Sequence, residues 1–321
     1  MTNGERPGQF STADLALLDQ SAKWQPCPGL LDCTPDQVAE LTASQGLDFA
    51  TATLYDRILR RPEDRSFFNH VSSVQTSSGS KAVMVGIVPG AFYRQHKNTG
   101  ADGARLIEIV RALGCPCELV PVESFGSLEL NASLIAQWLT KQAGRPVALL
   151  SLSKGSADLK VALKRPDATE LFRNVCSWIS FSGLPDGTPL ITWLRQRPLR
   201  RLGVSCWLWL HRQRYAVVEE LRHESDGPLA VWPELPSRLK AIHVVGFPCR
   251  RHLAHPWAHR AYERLAPLGP NDGGGILLGG LAKLPGVLYP VWGADHYLQP
   301  AWDVTPKLRA LLSAALSLAE Q

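Results

Sequence analysis

The chain has 321 residues, of which 45% are hydrophobic and 20% charged, a composition typical of a globular protein. Its net charge of +5 at pH 7 is too small to indicate a nucleic-acid partner. The N-terminal residues lack a basic region followed by an apolar run, and no apolar stretch is long enough to span a bilayer. We therefore expect a cytoplasmic protein with no integral membrane segment, and we expect its cysteines to be buried, reduced thiols.

Strands and helices are predicted to alternate from residue 82 onward, after helices near Pro35 and over residues 48–60. Apolar runs rich in β-branched residues indicate strands that are buried on both faces of a parallel sheet. The predicted strands cover residues 82–88, 117–122, 147–152, 175–181, 241–247 and 287–292. The predicted helices cover residues 101–113, 128–142, 157–164 and 307–319. This alternation predicts an α/β protein whose central sheet is mostly parallel and carries helices on both faces.

The alternation breaks over residues 188–237, which are rich in aromatic residues and arginine. We interpret this segment as a helical cap whose apolar face covers a substrate pocket. Binding of single-stranded nucleic acid is an alternative, but Glu219, Glu220 and Glu224 offset part of the charge and favour the cap. A packed insert with no substrate role stays open. The expected organisation is an N-terminal extension (1–77) packed on the core, a core (78–187 and 238–321) and the cap (188–237).

The segment Ser151-Leu152-Ser153-Lys154-Gly155 follows a short apolar run and directly precedes a helical stretch. A strand, a sharp turn and a helix form the elbow that presents a nucleophilic serine, and small residues two positions either side of the serine allow that turn. Ser151 stands where the pattern usually has glycine. Ser153 is therefore the candidate nucleophile, although serine and glycine also simply end many strands.

A histidine and an acid are needed to activate a serine, and both follow later in the chain. His296 lies in Gly293-Ala294-Asp295-His296, after the last predicted strand, and His96 is the alternative base. Asp272 lies in the Asn271-Asp272-Gly273 turn, whose composition suits a tight turn and an exposed carboxylate alike. The reserve acids are Asp186 and Asp226, whereas Asp295 is adjacent to His296, so its side chain is expected to point elsewhere.

An oxyanion site requires two N–H donors beside the nucleophile. The first candidate is the backbone N–H of Lys154, directly after Ser153. The second is the N–H of Ala91 or Phe92, in the loop that follows the strand predicted over 82–88. Gly90 in that loop allows the backbone to approach closely, but a plain Pro-Gly turn would have the same sequence.

These motifs resemble the α/β-hydrolase superfamily, in which nucleophile, acid and histidine follow one another in this order. The resemblance covers about residue 80 to the C-terminus, and the N-D-G and G-A-D-H motifs are similar to those of lipase-like and esterase-like members. It implies that Ser153, Asp272 and His296 act as nucleophile, acid and base. Two departures are the serine at position 151 and the long insertion of residues 248–269 between the preceding strand and Asp272.

The expected activity is hydrolysis of a carboxylic ester or thioester with an apolar acyl group, through an acyl-enzyme at Ser153. Tyr93, Trp207 and Trp209 are the predicted substrate contacts, and the substrate is a small or lipid-like acyl compound. No cofactor is implied. An acyltransferase using the same residues and a binding protein without catalysis are the alternatives, and the oligomeric state stays open.

Two further patterns suggest ligands, and we set both below the hydrolase interpretation. Cys249, His252, His255 and His259 are residues that bind zinc, but Pro256 disturbs their helical spacing, so no metal site is predicted. The glycine-rich run after Asp272 lacks the Lys-Ser/Thr ending of a phosphate-binding loop. We expect a solvated basic segment in the first case and a loop in the second.

Overall fold

The computed structural model describes residues 10–74, 82–224 and 226–317. The strands are β1 Met84–Val88, β2 Cys117–Leu119, β3 Val147–Leu152, β4 Val175–Phe181, β5 Lys240–Phe247 and β6 Val287–Trp292. The first seven helices are α1 Thr12–Ala22, α2 Pro35–Gln45, α3 Leu47–Arg60, α4 Pro62–Ser73, α5 Ala104–Ala112, α6 Leu128–Lys141 and α7 Lys154–Leu163. The others are α8 Ala168–Leu171, α9 Pro189–Arg195, α10 Pro198–Leu210, α11 Ala216–Glu219, α12 Pro256–Leu265 and α13 Thr305–Ser317. Short 3-10 helices cover Lys97–Thr99, Arg250–His252, Ala266–Leu268 and Leu278–Lys283.

The chain divides into two compact units, which we name after the candidate residues that they contain. The histidine unit comprises residues 1–77 and 242–314, and the serine unit comprises residues 78–241 and 315–321. These two units differ from the predicted division into extension, core and cap, which stays a prediction. No helix in the described ranges 10–74, 82–224 and 226–317 is long and apolar enough to cross a bilayer.

The serine unit is built on four parallel strands in the order β2-β1-β3-β4. Val88 at the end of β1 pairs with Ser151 of β3, and Leu152 pairs with Phe181 at the end of β4. The carboxyl ends of β1, β3 and β4 are therefore level. Loops beyond such ends are the usual ligand sites of parallel sheets, and the loops that hold Ala91 and Ser153 both begin here.

Several element boundaries differ from the sequence prediction by up to three residues; α7, for example, begins at Lys154 and not at residue 157. The strand predicted over 117–122 ends at Leu119, because Pro121 has no N–H to continue the ladder. The helix predicted over 101–113 begins only at Ala104, since Gly103 before it has a φ of 70°, outside the helical range. The helix predicted over 307–319 covers Thr305–Ser317, and residues 318 and 319 lie outside the described residues.

The histidine unit contains one parallel strand pair, with β5 and β6 in register from Ile242 opposite Val287 to Phe247 opposite Trp292. Helices from the N-terminal segment pack against β6. The Phe68 ring of α4 stacks on Tyr289 at 5.3 Å, and the Leu288 N–H donates to Asp64 at 2.8 Å. Residues 10–74 thus contribute side chains to the core around β6.

The segment predicted as a helical cap contains α9, α10 and α11. Apolar side chains from these helices form a cluster with side chains of α7 and of the loops after β1 and β2. The buried members are Phe125, Leu128, Ala157, Ile191, Leu208, Val217, Val218, Leu221 and Leu229, and Ala91, Phe92 and Trp207 pack against them. The segment is therefore helical, as predicted, and is anchored within the serine unit by an apolar core.

Candidate active site

Ser153 occupies a sharp turn between β3 and α7. Its φ of 46° and ψ of −116° lie in a region that residues with a Cβ rarely adopt, at a cost of about 1–3 kcal/mol. Hydrogen bonds hold this backbone: the Ser153 N–H donates to the Phe181 carbonyl, and the Ser153 carbonyl accepts from Leu184 and Ser156. The strained geometry is that of the nucleophile elbow predicted from the sequence.

The small residues two positions before and after Ser153 have different physical roles. A Cβ on Gly155 would lie 2.6 Å from the carbonyl oxygens of Val88 and Pro89, so only glycine fits there. Ser151, which replaces the usual first glycine, accepts a hydrogen bond from the Trp178 indole at 2.7 Å and bonds the Ser156 hydroxyl at 2.7 Å. The departure at position 151 thus contributes a buried polar network behind the elbow.

Lys154 follows Ser153 and is a buried charged residue. Its ammonium donates to Asp158 at 2.5 Å, and Asp158 also accepts from the Asn131 amide at 2.9 Å. Burial raises the pKa of Asp158, and the charge of Lys154 opposes that rise. The ion pair fixes the first turn of α7, where the backbone N–H of Lys154 is the predicted oxyanion donor. The spacing of Lys154 and Asp158 suggested neither their burial nor the contact with Asn131.

The loop after β1 supplies the other predicted oxyanion donors, Ala91 and Phe92. A Cβ on Gly90 would lie 3.4 Å from that of Ser153, so the loop passes close beside the elbow. The Phe92 N–H donates to the Ser124 carbonyl at 2.8 Å. Since that N–H already has an acceptor, Ala91 is the remaining donor candidate in this loop.

The three predicted substrate contacts have very different surroundings. Tyr93 is buried in the core, and its hydroxyl donates to the Val122 carbonyl at 2.9 Å. Trp207 is half-buried and packs edge-on against Phe92, with 5.3 Å between the ring centroids. Trp209 is 75% exposed. Of the three, Trp207 is the one in contact with the loop of the candidate oxyanion site.

Asp272 and His296 meet in the histidine unit. The Nδ1 of His296 lies 2.6 Å from Oδ2 of Asp272, and the His296 backbone N–H donates to the Asp272 carbonyl at 2.7 Å. A carboxylate at Nδ1 favours the tautomer with its proton there, which leaves the lone pair of Nε2 to accept another. Asp272 is fully buried, so the exposed turn acid expected from the sequence is instead an internal one.

The glycine-rich run after Asp272 explains how its carboxylate is held. Oδ1 accepts from the N–H groups of Gly274, Gly275 and Ile276 at 2.9, 3.0 and 2.9 Å. These donors stabilise a buried charge and aim the other oxygen at His296. A side chain on Gly274 would overlap the imidazole of His296. The glycine-rich run therefore holds the Asp272 carboxylate in position beside His296.

The electrostatics of His296 reflect two opposing effects. Burial disfavours the charged imidazolium, but the charge and hydrogen bond of Asp272, together with Asp295, outweigh it and raise the pKa of His296 above 6.5. A base with a raised pKa accepts a proton more readily. The arrangement suits a histidine that must become an imidazolium during a reaction.

Asp295 is the unexpected residue of this region. It is 1% exposed, its Oδ1 accepts from the Tyr297 N–H at 2.9 Å, and its Oδ2 has no hydrogen-bond partner among the described residues. Burial raises its pKa to about 6. The sequence predicts only that its side chain points away from His296, and nothing local in the sequence indicates that it is buried.

The two reserve acids and the alternative base each contact other residues. Asp186 accepts from the Lys160 ammonium at 2.6 Å. Asp226 pairs with Arg222 at 3.6 Å at the surface. The His96 ring stacks on Trp207, with 6.1 Å between centroids. Among the predicted acids and bases, Asp272 and His296 are thus the pair with the geometry of an acid–base couple.

Part of the suspected zinc segment lies in a polar cluster. Ligand atoms of Asp14, Cys249 and His252 lie within 4.8 Å of one another, whereas the His255 ring packs at a tilt against Tyr297, with 4.4 Å between the ring centroids. Arg251 pairs with Asp14, and Nδ1 of His252 accepts from the Cys249 N–H. Burial opposes ionisation of Asp14, yet hydrogen bonds from Ser11 and Arg251 lower its pKa to about 2. Existing partners thus engage these groups as an ion-pair cluster.

Comparison with known proteins gives a fold. No family model and no curated protein matches the chain. It is similar to the solved structure of a metagenomic carboxyl esterase, MGS0156, with 19% identity and a TM-score of 0.51 over 97% of this chain and 99% of that chain. Further matches are the mature lipase BlEst2 of Bacillus licheniformis (17%; 69% of this chain, 86% of that chain; TM-score 0.49) and an extracellular alpha/beta-hydrolase of a Paenibacillus species (12%; 73% and 98%; 0.40).

The likeness to the esterase spans nearly the whole of both chains, and the parallel strand order and helical alternation agree with it. The protein has the α/β-hydrolase fold, as the sequence predicted. At this level of identity the likeness establishes the fold alone. A fold of this kind serves many different functions, and the residues of the site decide which one.

Proposed function

We propose that the protein is a carboxylic-ester hydrolase in which Ser153, His296 and Asp272 act as a catalytic triad. Above all, the Asp272–His296 pair supports this function, because a fully buried carboxylate fixed by three N–H donors faces Nδ1 of a histidine. The strained turn at Ser153 supports it independently. The fold supports it by analogy, since its solved neighbours include a carboxyl esterase.

In the proposed reaction the Ser153 hydroxyl attacks the ester carbonyl carbon while Nε2 of His296 takes its proton. Asp272 stabilises the resulting imidazolium. The N–H groups of Lys154 and Ala91 donate to the oxyanion of the tetrahedral intermediate. The intermediate collapses to an acyl-serine as the imidazolium gives its proton to the leaving alcohol. Water then releases the acid by the same steps, and Ser153 regains its proton.

An apolar acyl group fits the surroundings of the proposed oxyanion site. Ala91 and Phe92 pack against the apolar cluster that joins α7 to the cap helices, and Phe92 stacks on Phe125 with 4.3 Å between ring centroids. We propose a small or lipid-like ester as substrate, with Trp207 beside the acyl chain. The cytoplasmic setting remains a prediction from the sequence.

A fluorophosphonate probe tests the nucleophile, because it modifies only activated serines. The wild-type chain should be labelled and should cleave p-nitrophenyl esters, whereas Ser153→Ala should do neither. Ser205→Ala is the matched control, since the Ser205 hydroxyl only bonds the Arg201 carbonyl within α10. Labelling of folded Ser153→Ala, or no labelling of folded wild type, would overturn the proposal.

A further inference from the structure

Helix α10 carries large apolar side chains on its outer face. Leu199, Leu202, Trp209 and Leu210 are 84%, 61%, 75% and 71% exposed. Each residue of a helix turns by about 100°, so these four lie within roughly 100° of its circumference. Such exposed stripes on globular proteins generally mark a surface that binds something.

The opposite face of the same helix is already anchored. Leu208 is 1% exposed, and it packs with Val204 and Trp207 in the apolar cluster of the serine unit. Packing of α10 on the protein therefore does not require the outer stripe. A helix that is apolar on both faces needs two apolar surroundings, and the described residues provide one of them.

Arginines precede and follow the outer stripe along the chain. Residues 188–214 contain six arginines and neither aspartate nor glutamate. Arg200 and Arg201 lie over the rings of Trp193 and Tyr215, at 5.0 and 5.2 Å from the centroids, and remain exposed. Arg212 and Arg214 follow the C-terminal end of α10 and are also exposed. Arginine thus flanks the apolar stripe at both ends.

We propose that α10 docks the protein onto an anionic lipid surface. The leucines and Trp209 enter the boundary between headgroups and acyl chains, and the arginines contact the acidic headgroups. The proposal does not depend on catalysis at Ser153. It would, however, bring a lipid-like ester to the surface on which the protein rests.

Two other occupants fit the observations less well. In a symmetric contact between two copies, the arginine-rich segment of one copy would face that of the other and repel it. Single-stranded nucleic acid is held by stacking on aromatic rings, whereas the stripe consists of three leucines and one tryptophan. A lipid surface satisfies both the aliphatic side chains and the charge.

Vesicle sedimentation tests the docking. Vesicles of phosphatidylcholine with phosphatidylglycerol should bind the wild-type chain roughly tenfold more strongly than phosphatidylcholine alone, and salt should weaken the binding. Trp209→Ser/Leu210→Ser should lose binding by roughly tenfold or more, because it removes two inserted side chains. Arg200→Glu/Arg212→Glu should abolish the preference for anionic vesicles.

Three controls keep the outcomes distinct. Leu31→Ser changes a leucine that is 78% exposed elsewhere and should bind vesicles normally. Ser153→Ala should also bind normally, which separates docking from catalysis. Circular dichroism checks that each variant is folded. Equal binding to both vesicle types, or full binding by Trp209→Ser/Leu210→Ser, would overturn the proposal. Absence of vesicle binding would also overturn it if the wild-type chain instead formed a dimer, or bound a single-stranded oligonucleotide, and Trp209→Ser/Leu210→Ser abolished that interaction.

Discussion

Helices α7 and α10 depart in opposite ways from the rule that apolar groups are inside and charges outside. Helix α7 buries Lys154, Asp158 and Lys160, whereas α10 exposes Leu202 and Trp209. Burying a charge is costly unless it is well paired, and exposing a large apolar side chain loses the stabilisation of burial. Each departure therefore points to a role that folding alone does not require.

The buried charges of α7 have partners on several sides. The Lys160 ammonium donates to Asp186 at 2.6 Å and to the Leu229 carbonyl at 2.7 Å, and it lies 4.1 Å from the ring centroid of Trp232. Burial lowers the pKa of Lys160, and Asp186 opposes that change. Lys154 holds the N-terminal turn of α7 and Lys160 its later part. Helix α7 is thus fixed in place by buried charges, whereas the outer face of α10 is exposed.

The largest effect on activity is expected for Asp272, a buried carboxylate outside α7. Asp272→Asn should lower kcat by about 10⁴-fold, because the amide no longer favours the right histidine tautomer. It should also shift the rising limb of kcat/KM to lower pH, since loss of the carboxylate lowers the pKa of His296, which must be neutral to act. Stopped-flow ester hydrolysis over a pH series measures both effects. Asp186→Asn should leave the profile unchanged.

Breaking the buried pair of α7 should come next in size. Lys154→Met leaves Asp158 buried without its cation and should lower the free energy of unfolding by about 3–5 kcal/mol. Replacing both partners, in Lys154→Met/Asp158→Leu, should restore most of that loss. Denaturant unfolding measures both. If Lys154→Met cost no more than an exposed substitution, the pair would not be the buried ion pair described above.

Asp295 provides a pH-dependent effect of intermediate size. Its folded-state pKa of about 6 exceeds the ordinary 3.8, so the folded state binds this proton more tightly, and its contribution to stability is lost as pH rises from about 4 through 6. Asp295→Asn should therefore be more stable than wild type at pH 8, by up to about 3 kcal/mol. Thermal unfolding at pH 4 and pH 8 tests this. Asp303→Asn is the control, because Asp303 also accepts from an N–H two residues on but is exposed.

The smallest effect is expected on the outer face of α10. Leu202→Ala should change the free energy of unfolding by less than about 0.5 kcal/mol, because the side chain is mostly in water. Leu208→Ala on the inner face of the same helix should cost about 2–5 kcal/mol. Denaturant unfolding of the two variants compares the faces directly. A large loss for Leu202→Ala would mean that the stripe already packs on the protein.

Much of the candidate site could be predicted because its parts are local. The strand before Ser153 and the sharp turn at Ser153 have the predicted positions, since a short apolar run followed by serine and glycine favours a strand and then a turn. The resemblance to α/β-hydrolases implied that Asp272 acts with His296, but the sequence alone did not show that the two residues meet. The sequence did not show that Asp272 is fully buried, because its three N–H donors become donors only when the loop closes around it.

The sequence by itself determined the alternation of strands and helices, the position of the sharp turn at Ser153 and the order of the candidate residues. These depend on the side-chain periodicity and turn preferences of neighbouring residues. Only the tertiary structure decided which side chains, charged or apolar, are buried and which are exposed to water. Lys154, Asp158 and Asp295 read as ordinary charged residues, and Leu202 and Trp209 as ordinary apolar ones. Burial depends on contacts between residues far apart in the chain, such as Asn131 with Asp158, and no local pattern encodes those contacts.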